Sequence, residues 1–543
     1  MNHAANPFHA GEIEAQARVG VTDVADWASG FIRPHMPTQH RDFYSKLPFL
    51  VLSGSDAEGQ IWVTLLDGPD GFIQSPDATT LTIATDPDPQ DPLANALING
   101  TDIGLLGIEL ATRRRNRLSG AFHATASGYA IDIHQSFGNC PQYIHEREWY
   151  RVASTATPTA IRSSALNSDQ AARIRAADTL FIGTGYRDRT DHASNGFDAS
   201  HRGGEPGFVA VPDGTHLRIP DYAGNNFFNT IGNLLENPKI GLVFVDFETG
   251  GLLQVTGTAT VDWDASESHD PGALRMIDVT IDAVVDRPQA LSLRWSADNA
   301  DLRDLVVTDK VVESDGITSF HLAAADGRAL EPFEAGQHLP IELEIPGQKG
   351  KVRRSYSLSS APFGETYRLS IKREARGLAS QFMHDTVGVA DRIQARRPSG
   401  EFVVPCSNCP LVLVSAGVGL TPMLSMLHAA SYEVGKRPVW FVHGARNGTQ
   451  HALKAEVADL VNRRPNFSAH ILYSRPDEAD RPGVDYHATG RVTAQTLLDL
   501  NAGPEARYML CGPAKFLADI KNGLEAAGVP AQHIHFETFG PTG

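Results

Sequence analysis

Apolar residues follow two rhythms along this chain, and the change comes near residue 409. Upstream, short apolar runs are separated by Gly, Pro and Asp: Leu47–Ser53, Ile61–Leu66, Gly71–Gln74, Gly104–Leu110 and Thr179–Thr184. Runs of this length between turn formers predict strands, and many short strands with regular turn signals predict barrels. One stretch differs: 229–236 predicts a brief helix ended by Asn237-Pro238. Polar residues 278–301 predict a linker, and a second β-rich segment follows to about Pro405. Beyond Cys409 strands and helices alternate. Strands are predicted at 411–415, 439–443, 468–474 and 508–511, and helices at 422–434, 452–462, 494–500 and 514–527. That alternation predicts a parallel α/β sheet.

The upstream half repeats itself. Residues 69–77 match 205–213, Leu81-Thr82-Ile83 matches Leu217-Arg218-Ile219, and Ile103-Gly104-Leu105 matches Ile240-Gly241-Leu242. Leu118-Ser119-Gly120 then meets Val255-Thr256-Gly257 in nearly the same register. A chance match does not keep its register this long, so the pattern predicts a duplicated domain. The expected organisation is a first copy with an N-terminal extension (1–160), a second copy (161–295), an antiparallel β-barrel (296–408) and an α/β domain (409–543).

A length of 543 residues is consistent with about three or four domains. The net charge of −17 argues against nucleic acid or anionic lipid as partners. The first sixteen residues lack the basic and apolar regions of a secretory signal, and no apolar stretch nears the ~18 residues of a membrane span. A cytoplasmic protein, monomeric or homodimeric, is expected. The four cysteines, Cys140, Cys406, Cys409 and Cys511, are too few for a disulfide scaffold. Cys406-Ser407-Asn408-Cys409 lacks the further ligands of a metal site; it reads as two ordinary thiols in preference to a thioredoxin-like pair, and Cys140 reads as structural. The plant-type Cx4Cx2C spacing of a [2Fe–2S] cluster is absent. No metal site is expected.

Four motifs stand in order in the last 240 or so residues: Arg354-Ser355-Tyr356-Ser357, Gly417-Val418-Gly419-Leu420-Thr421-Pro422, Cys511-Gly512-Pro513 and Phe536-Glu537-Thr538-Phe539. Together they resemble the ferredoxin-NADP reductase family, most nearly the reductase half of flavohaemoglobins. The resemblance implies NAD(P)H-to-FAD hydride transfer. It assigns Arg354 to the flavin pyrophosphate, Tyr356 and Phe539 to the ring, and Ser357, Cys511 and Glu537 to the transfer site. Gly377 and Ser380 would open a helix on the pyrophosphate, where free N–H groups suit an anion. Gly417, Gly419, Thr421, Pro422, Cys511, Gly512 and Pro513 would hold the nicotinamide coenzyme. Ser474-Arg475 suits a 2′-phosphate, but the family's accompanying Lys-x-Tyr is not evident in Asp485-Tyr486-His487, and NADH is the favoured donor.

The repeat is similar to the pyridoxamine 5′-phosphate oxidase-like split barrel, which binds FMN between two barrels. Ser200-His201-Arg202-Gly203-Gly204 and Pro220-Asp221-Tyr222-Ala223-Gly224-Asn225-Asn226 carry that likeness. The resemblance implies FMN contacts from Ser200, Arg202, Gly203, Asp221, Gly224 and Asn225. Copy one has Leu66 where copy two has Arg202, so one FMN site is expected, with copy one as partner. Arg113-Arg114-Arg115 and Arg117 have two readings, a reach to the same phosphate or a solvated basic strand, of which the second is favoured. The chain is thus expected to be a flavoprotein oxidoreductase with FAD, FMN and NAD(P)H and an unassigned small-molecule or protein acceptor. The alternatives are a reductase whose barrel docks a separate protein, or a haem or flavin sensor using residues such as His192 and His201.

Overall fold

The computed structural model describes residues 6–538, apart from 22–23, 29–30, 86, 98–99, 126–127, 140–141, 154–157, 190–191, 297–301, 349, 376, 406–407, 434 and 436. Cys140, Cys406 and Phe539 therefore lie outside the described residues. The chain divides into two compact units, Met1–Asp298 and Asn299–Gly543.

The first half of the N-terminal unit forms β1 (Phe49–Ser55), β2 (Ile61–Asp67), β3 (Ile73–Gln74), β4 (Thr80–Ile83), β5 (Thr101–Glu109), β6 (Arg114–Thr125) and β7 (Gly128–Asn139). They pair in the order β2-β1-β5-β6-β7-β4-β3. The second half forms β8 (Thr179–Tyr186), β9 (Gly196–Gly203), β10 (Ala210–Asp213), β11 (His216–Asp221), β12 (Lys239–Asp246), β13 (Gly251–Asp262) and β14 (Arg275–Arg287). Its order, β9-β8-β12-β13-β14-β11-β10, is the same permutation. Both sheets carry a bulge at matching places, Ser119/Gly120 and Thr256/Gly257. A Cβ on Gly120 would lie 2.2 Å from the Asp132 oxygen, and one on Gly257 would lie 2.0 Å from that of Thr280. The bulge brings backbone too close for any side chain.

The two sheets share an apolar layer. In β1, Leu50 and Leu52 point into the first half's own core with Leu118 and Phe122. Phe49 and Val51 point the other way, onto Phe181 and Val243 of the second half. Strands buried on both faces read as unbroken apolar runs, which is why these segments lacked alternation. The reverse error affects 278–301, the expected linker. Most of it is strand: β14, then Leu293–Trp295. Ile277, Val279 and Ile281 are buried while Thr280 and Asp282 are exposed, so the polar half of an alternating strand gave the segment its linker-like composition.

Outside the repeat, α1 (Ala10–Arg18) packs on α2 (Asn229–Glu236). The His9 ring accepts from the Gly11 N–H (3.1 Å) and Glu12 accepts from the His9 N–H (2.9 Å), a reciprocal cap at the helix start. The helices meet at glycines: a Cβ on Gly11 would lie 2.3 Å from the Gly232 oxygen.

The C-terminal unit begins with antiparallel strands β15 (Arg303–Ser314), β16 (Ile317–Ala324), β17 (His338–Leu343), β18 (Val352–Ser357), β19 (Tyr367–Lys372) and β20 (Arg392–Ala395). Their order is β18-β17-β20-β15-β16-β19, and a bridge between Leu358 and Leu369 joins the two ends into a barrel. A parallel sheet follows: β21 (Leu411–Ala416), β22 (Val439–Ala445), β23 (Phe467–Tyr473), β24 (Ala488–Thr489), β25 (Arg507–Gly512) and β26 (Ile534–Thr538), ordered β24-β23-β22-β21-β25-β26. Helices α3 (Leu378–Asp385), α4 (Leu420–Tyr432), α5 (Lys454–Asn462) and α6 (Ala514–Ala526) complete what the site needs. Arg368 on β19 forks onto Glu456 of α5 (2.7 and 3.0 Å), which fixes barrel against sheet within this unit.

Among the described residues, no helix is long and apolar enough to cross a membrane, and no cluster of metal-ligating side chains occurs. Cys409 is disulfide-bonded, which corrects its reading as an ordinary thiol; Cys511 is free and buried.

Candidate functional site

In the parallel sheet the strand order reverses between β21 and β25. Ligands of open α/β sheets bind outside the carboxyl ends of strands at such a point. Gly417-Val418-Gly419 leaves β21 there, and Cys511-Gly512-Pro513 leaves β25. Gly417 sits at φ 58°, a left-handed conformation that favours glycine. A Cβ on Gly419 would lie 2.2 Å from the Cys511 oxygen, so only glycine lets this turn lie on β25. α4 starts at Leu420, two residues before the predicted start, with Pro422 inside its first turn. Thr421 Oγ1 donates to the Val418 oxygen (3.1 Å), so its hydroxyl braces the turn. Pro513 leads into α6.

The register brings the transfer residues together. Cys511 on β25 lies beside Ser415 of β21 and beside Glu537 of β26. Glu537 hydrogen-bonds Ser357 at the end of β18. Burial pushes the Glu537 carboxyl up to about 8, opposed by Ser357, and its Oε2 has no partner among the described residues. Burial, reinforced by Glu537, pushes the Cys511 thiol up as well. A buried, protonated thiol is a spacer here, not a nucleophile. Sequence reasoning missed the neighbours on the same face: His443 Nδ1 bonds Ser415 Oγ (2.9 Å), and the ring stacks on His451 (5.1 Å), which bonds Tyr473. Burial holds His443 well below the usual imidazole range, hence neutral. Nothing in an apolar strand pattern marked it.

Other candidates divide. Tyr356, partly buried on the barrel core, is pushed up to about 12 by burial; Arg354 shares its strand and donates to the Arg353 oxygen (2.7 Å). Gly377 precedes α3, whose first turn has no side-chain cap and so keeps free N–H groups. Ser380 Oγ donates to the Gly377 oxygen (2.9 Å) and accepts from the Glu374 N–H (3.1 Å), so it shapes that loop. Ser474 and exposed Arg475 follow β23, and the Arg475 N–H donates to the Arg446 oxygen (2.8 Å), placing exposed Arg446 alongside. Tyr486 stacks on Tyr473 and is buried.

The N-terminal unit holds a cavity of about 90 Å³, partly open to solvent. The second half lines it with His201, Arg202, Gly203, 221–226, 228–231 and Arg275; the first half supplies Arg115, Arg117, Asn139, Gln142 and Tyr143. Five of the six predicted FMN contacts are in this lining: Arg202, Gly203, Asp221, Gly224 and Asn225. Ser200 is not; it is fully buried and donates to Asp198 (3.0 Å), which also accepts from Arg117 (3.1 Å). The arginine run on β6 is not the solvated strand expected. Arg117 is 8% exposed, and Arg115 reaches the His201 ring (3.2 Å). Their surroundings come from the other copy, invisible to a local charge count. Arg275, also missed, holds Asp221 (2.8 Å) together with Arg202 (3.4 Å). Tyr143 and Tyr222 stack at 5.0 Å at the rim.

Buried N–H groups without partners gather on this lining: Arg117 Nε, Arg202 Nε, Asn139 Nδ2 and His201 Nε2 have none among the described residues. Burial and Arg115 keep His201 neutral, and because Arg115 donates to Nδ1, the proton sits on Nε2. The cavity therefore presents a converging set of donors, which suits an anion beside flat aromatic rings. Behind it, Glu12 of α1 accepts from Asn229 Nδ2 (2.5 Å), whose oxygen accepts from Arg117 (3.2 Å). Burial pushes Glu12 up to about 8.

Comparison with known proteins bears on the C-terminal unit. Residues 304–404 match the family described as oxidoreductase FAD-binding domain, and 413–522 match the oxidoreductase NAD-binding domain. The chain is 39% identical over 242 residues to a flavohemoprotein of Deinococcus radiodurans, covering 45% of this chain and 60% of that protein. It is 40% identical over 247 residues to one of Bacillus cereus, covering 44% and 61%. It thus spans about 60% of the length of these relatives. The FAD/NAD-binding domain of a nitric oxide dioxygenase from Vibrio cholerae is 33% identical and covers 45% of this chain and all of that one, with a TM-score of 0.40.

Proposed function

We propose that this NAD(P)H-dependent flavin oxidoreductase, whose C-terminal unit is an FAD- and NAD-binding module of the ferredoxin reductase type similar to the reductase half of flavohaemoglobins, delivers its electrons to FMN held in the N-terminal cavity. From there they leave to a small-molecule or protein acceptor. The observation that carries the second step is the set of buried donors around one cavity, Arg117 Nε, Arg202 Nε, Asn139 Nδ2 and His201 Nε2, that have no partner among the described residues.

The residues fit the cofactors. FAD, when bound, supplies hydride acceptance from a nicotinamide, and FMN supplies one- or two-electron exchange. Arg354, Tyr356 and the α3 N-terminus would hold FAD; Gly417, Gly419 and Gly512 would let the coenzyme pyrophosphate approach backbone N–H groups. Burial pushes the Glu537 carboxyl up to about 8, which favours its protonated form, so the Glu537–Ser357 pair would hold a proton at the transfer site. In the cavity, Arg117 and Arg202 would take the phosphate of FMN, and the Tyr143–Tyr222 stack would border its ring.

A second reading, favoured by the identity to flavohemoproteins, is that the module feeds a separate haem protein and the N-terminal unit docks it. Denaturing the purified protein and quantifying what it releases separates the two. FAD and FMN in equal amounts are expected, and anaerobic mixing with NADH should give two flavin reduction phases. FAD alone, with one phase, would sink the FMN route and leave the second reading.

A further inference from the structure

The two halves of the N-terminal unit place different groups at matching positions. Strand register gives the matches. Arg202 lies opposite Leu180 on β8, as Leu66 lies opposite Leu50 on β1. Arg117 pairs with Phe137 and Gln254 with Val285; Asn139 pairs with Arg115 and Arg287 with Leu252. The cavity's Arg202, Arg117 and Asn139 thus correspond to Leu66, Gln254 and Arg287. Leu66 sits in the first half's core. Arg287 is 4% exposed, and its guanidinium contacts Asp91, itself 3% exposed, with Asp88 farther off at 3.3 Å. The Asp91 carboxylate also accepts from Thr64, the counterpart of Ser200, and from Gln254 (3.4 Å). Donors from β2, β13 and β14 therefore converge on one internal carboxylate. In the cavity, Ser200 and Arg117 on the matching strands share Asp198 and Arg202 leans on Asp221, but Asn139, at the place of Arg287, brings no charge, and Arg117 Nε, Arg202 Nε and Asn139 Nδ2 have no partner among the described residues.

We infer that Asp91 is the built-in counter-anion of a second anion site, so that the duplicated unit takes one external anionic ligand and not two. A cation as deeply buried as Arg287 needs a countercharge, and removing one partner of such a pair leaves an uncompensated charge. A small anion that can enter the space left by Asp91 would restore the balance. The inference rests on the anion-binding reading of the open cavity, but it predicts behaviour at a separate place.

The test uses the full chain and three probes: FMN, sodium acetate and inorganic phosphate. Wild type is expected to hold one FMN per chain. Asp91→Ala should keep that FMN, melt lower, and regain about 3 °C at acetate or phosphate concentrations some tenfold above its dissociation constant. Wild type should not respond. The charge-free pair Asp91→Asn with Arg287→Met should fold without added anion and be equally unresponsive, which keeps the test usable if Asp91→Ala must be produced in acetate. Two FMN per chain in wild type, or an Asp91→Ala protein no more responsive to acetate and phosphate than wild type, would overturn the inference. No FMN in wild type together with acetate rescue of Asp91→Ala would support the sealed site while sinking the FMN reading alone.

Discussion

The two units build their sites by opposite means. The candidate site of the C-terminal unit depends on backbone: glycines at 417 and 419, strand ends at 416 and 512, and an order reversal that brings them side by side. The cavity of the N-terminal unit depends on side chains, with charges drawn from β6, β9, β11 and β14 across both halves. Backbone sites are confined to short motifs and tolerate little volume. Side-chain sites are spread over the sequence and respond to charge more than to bulk.

Changing volume in the first and charge in the second should expose that contrast. The largest effect is expected for Gly419→Val, which would drive a side chain into the Cys511 carbonyl. Reduction of FAD by NADH, followed by anaerobic stopped-flow, should slow on the order of 100-fold, as for a misplacement of about 1 Å, with FAD content intact. Arg202→Met comes next. Asp221 keeps Arg275, so the fold should hold, while FMN affinity measured on the apoprotein should fall roughly 30-fold for one lost charge-assisted contact.

A smaller effect concerns the buried acids. Glu12 has an ordinary value of 4.5 and is raised to about 8. Below the first value both folded and unfolded chains hold the proton; between the two only the folded chain does. Stability contributed by this group therefore falls as pH rises through that window and stays low above it. Glu12→Gln should gain about 2 kcal/mol over wild type at pH 9 and nothing at pH 4, read by denaturant melts. The smallest effect belongs to coenzyme choice. Arg475→Met should raise KM for NADPH about fivefold, a loss near 1 kcal/mol for an exposed charge contact, and leave NADH unchanged.

Legibility follows the same divide. The GxG turn, the Cys-Gly-Pro strand end and the Glu537 segment were readable because each is a local backbone event with fixed spacing. The internal repeat was readable because it keeps its register, and the two halves have one strand order. The linker reading at 278–301 failed because an alternating strand exposes its polar face. Arg115 and Arg117 were misjudged, and Arg275 overlooked, because their partners Asp198, His201 and Asp221 lie far off in sequence. Ser200 stands in the motif read as FMN-binding but turns to Asp198, a choice of rotamer that no spacing records.

The seam between α1 and α2 sets the order in which the N-terminal unit can be completed during synthesis. His9 bonds Asn233, 224 residues away, and Gly11 rests on Gly232. Residues 9–18 leave the ribosome well before the second half and must wait for it before they can dock, and Glu12 cannot reach Asn229 until then. Nascent chains stalled before residue 229 should remain protease-sensitive at their N-terminus, and a bulky tag fused directly ahead of His9 should delay cofactor loading more than it lowers the final yield of folded protein.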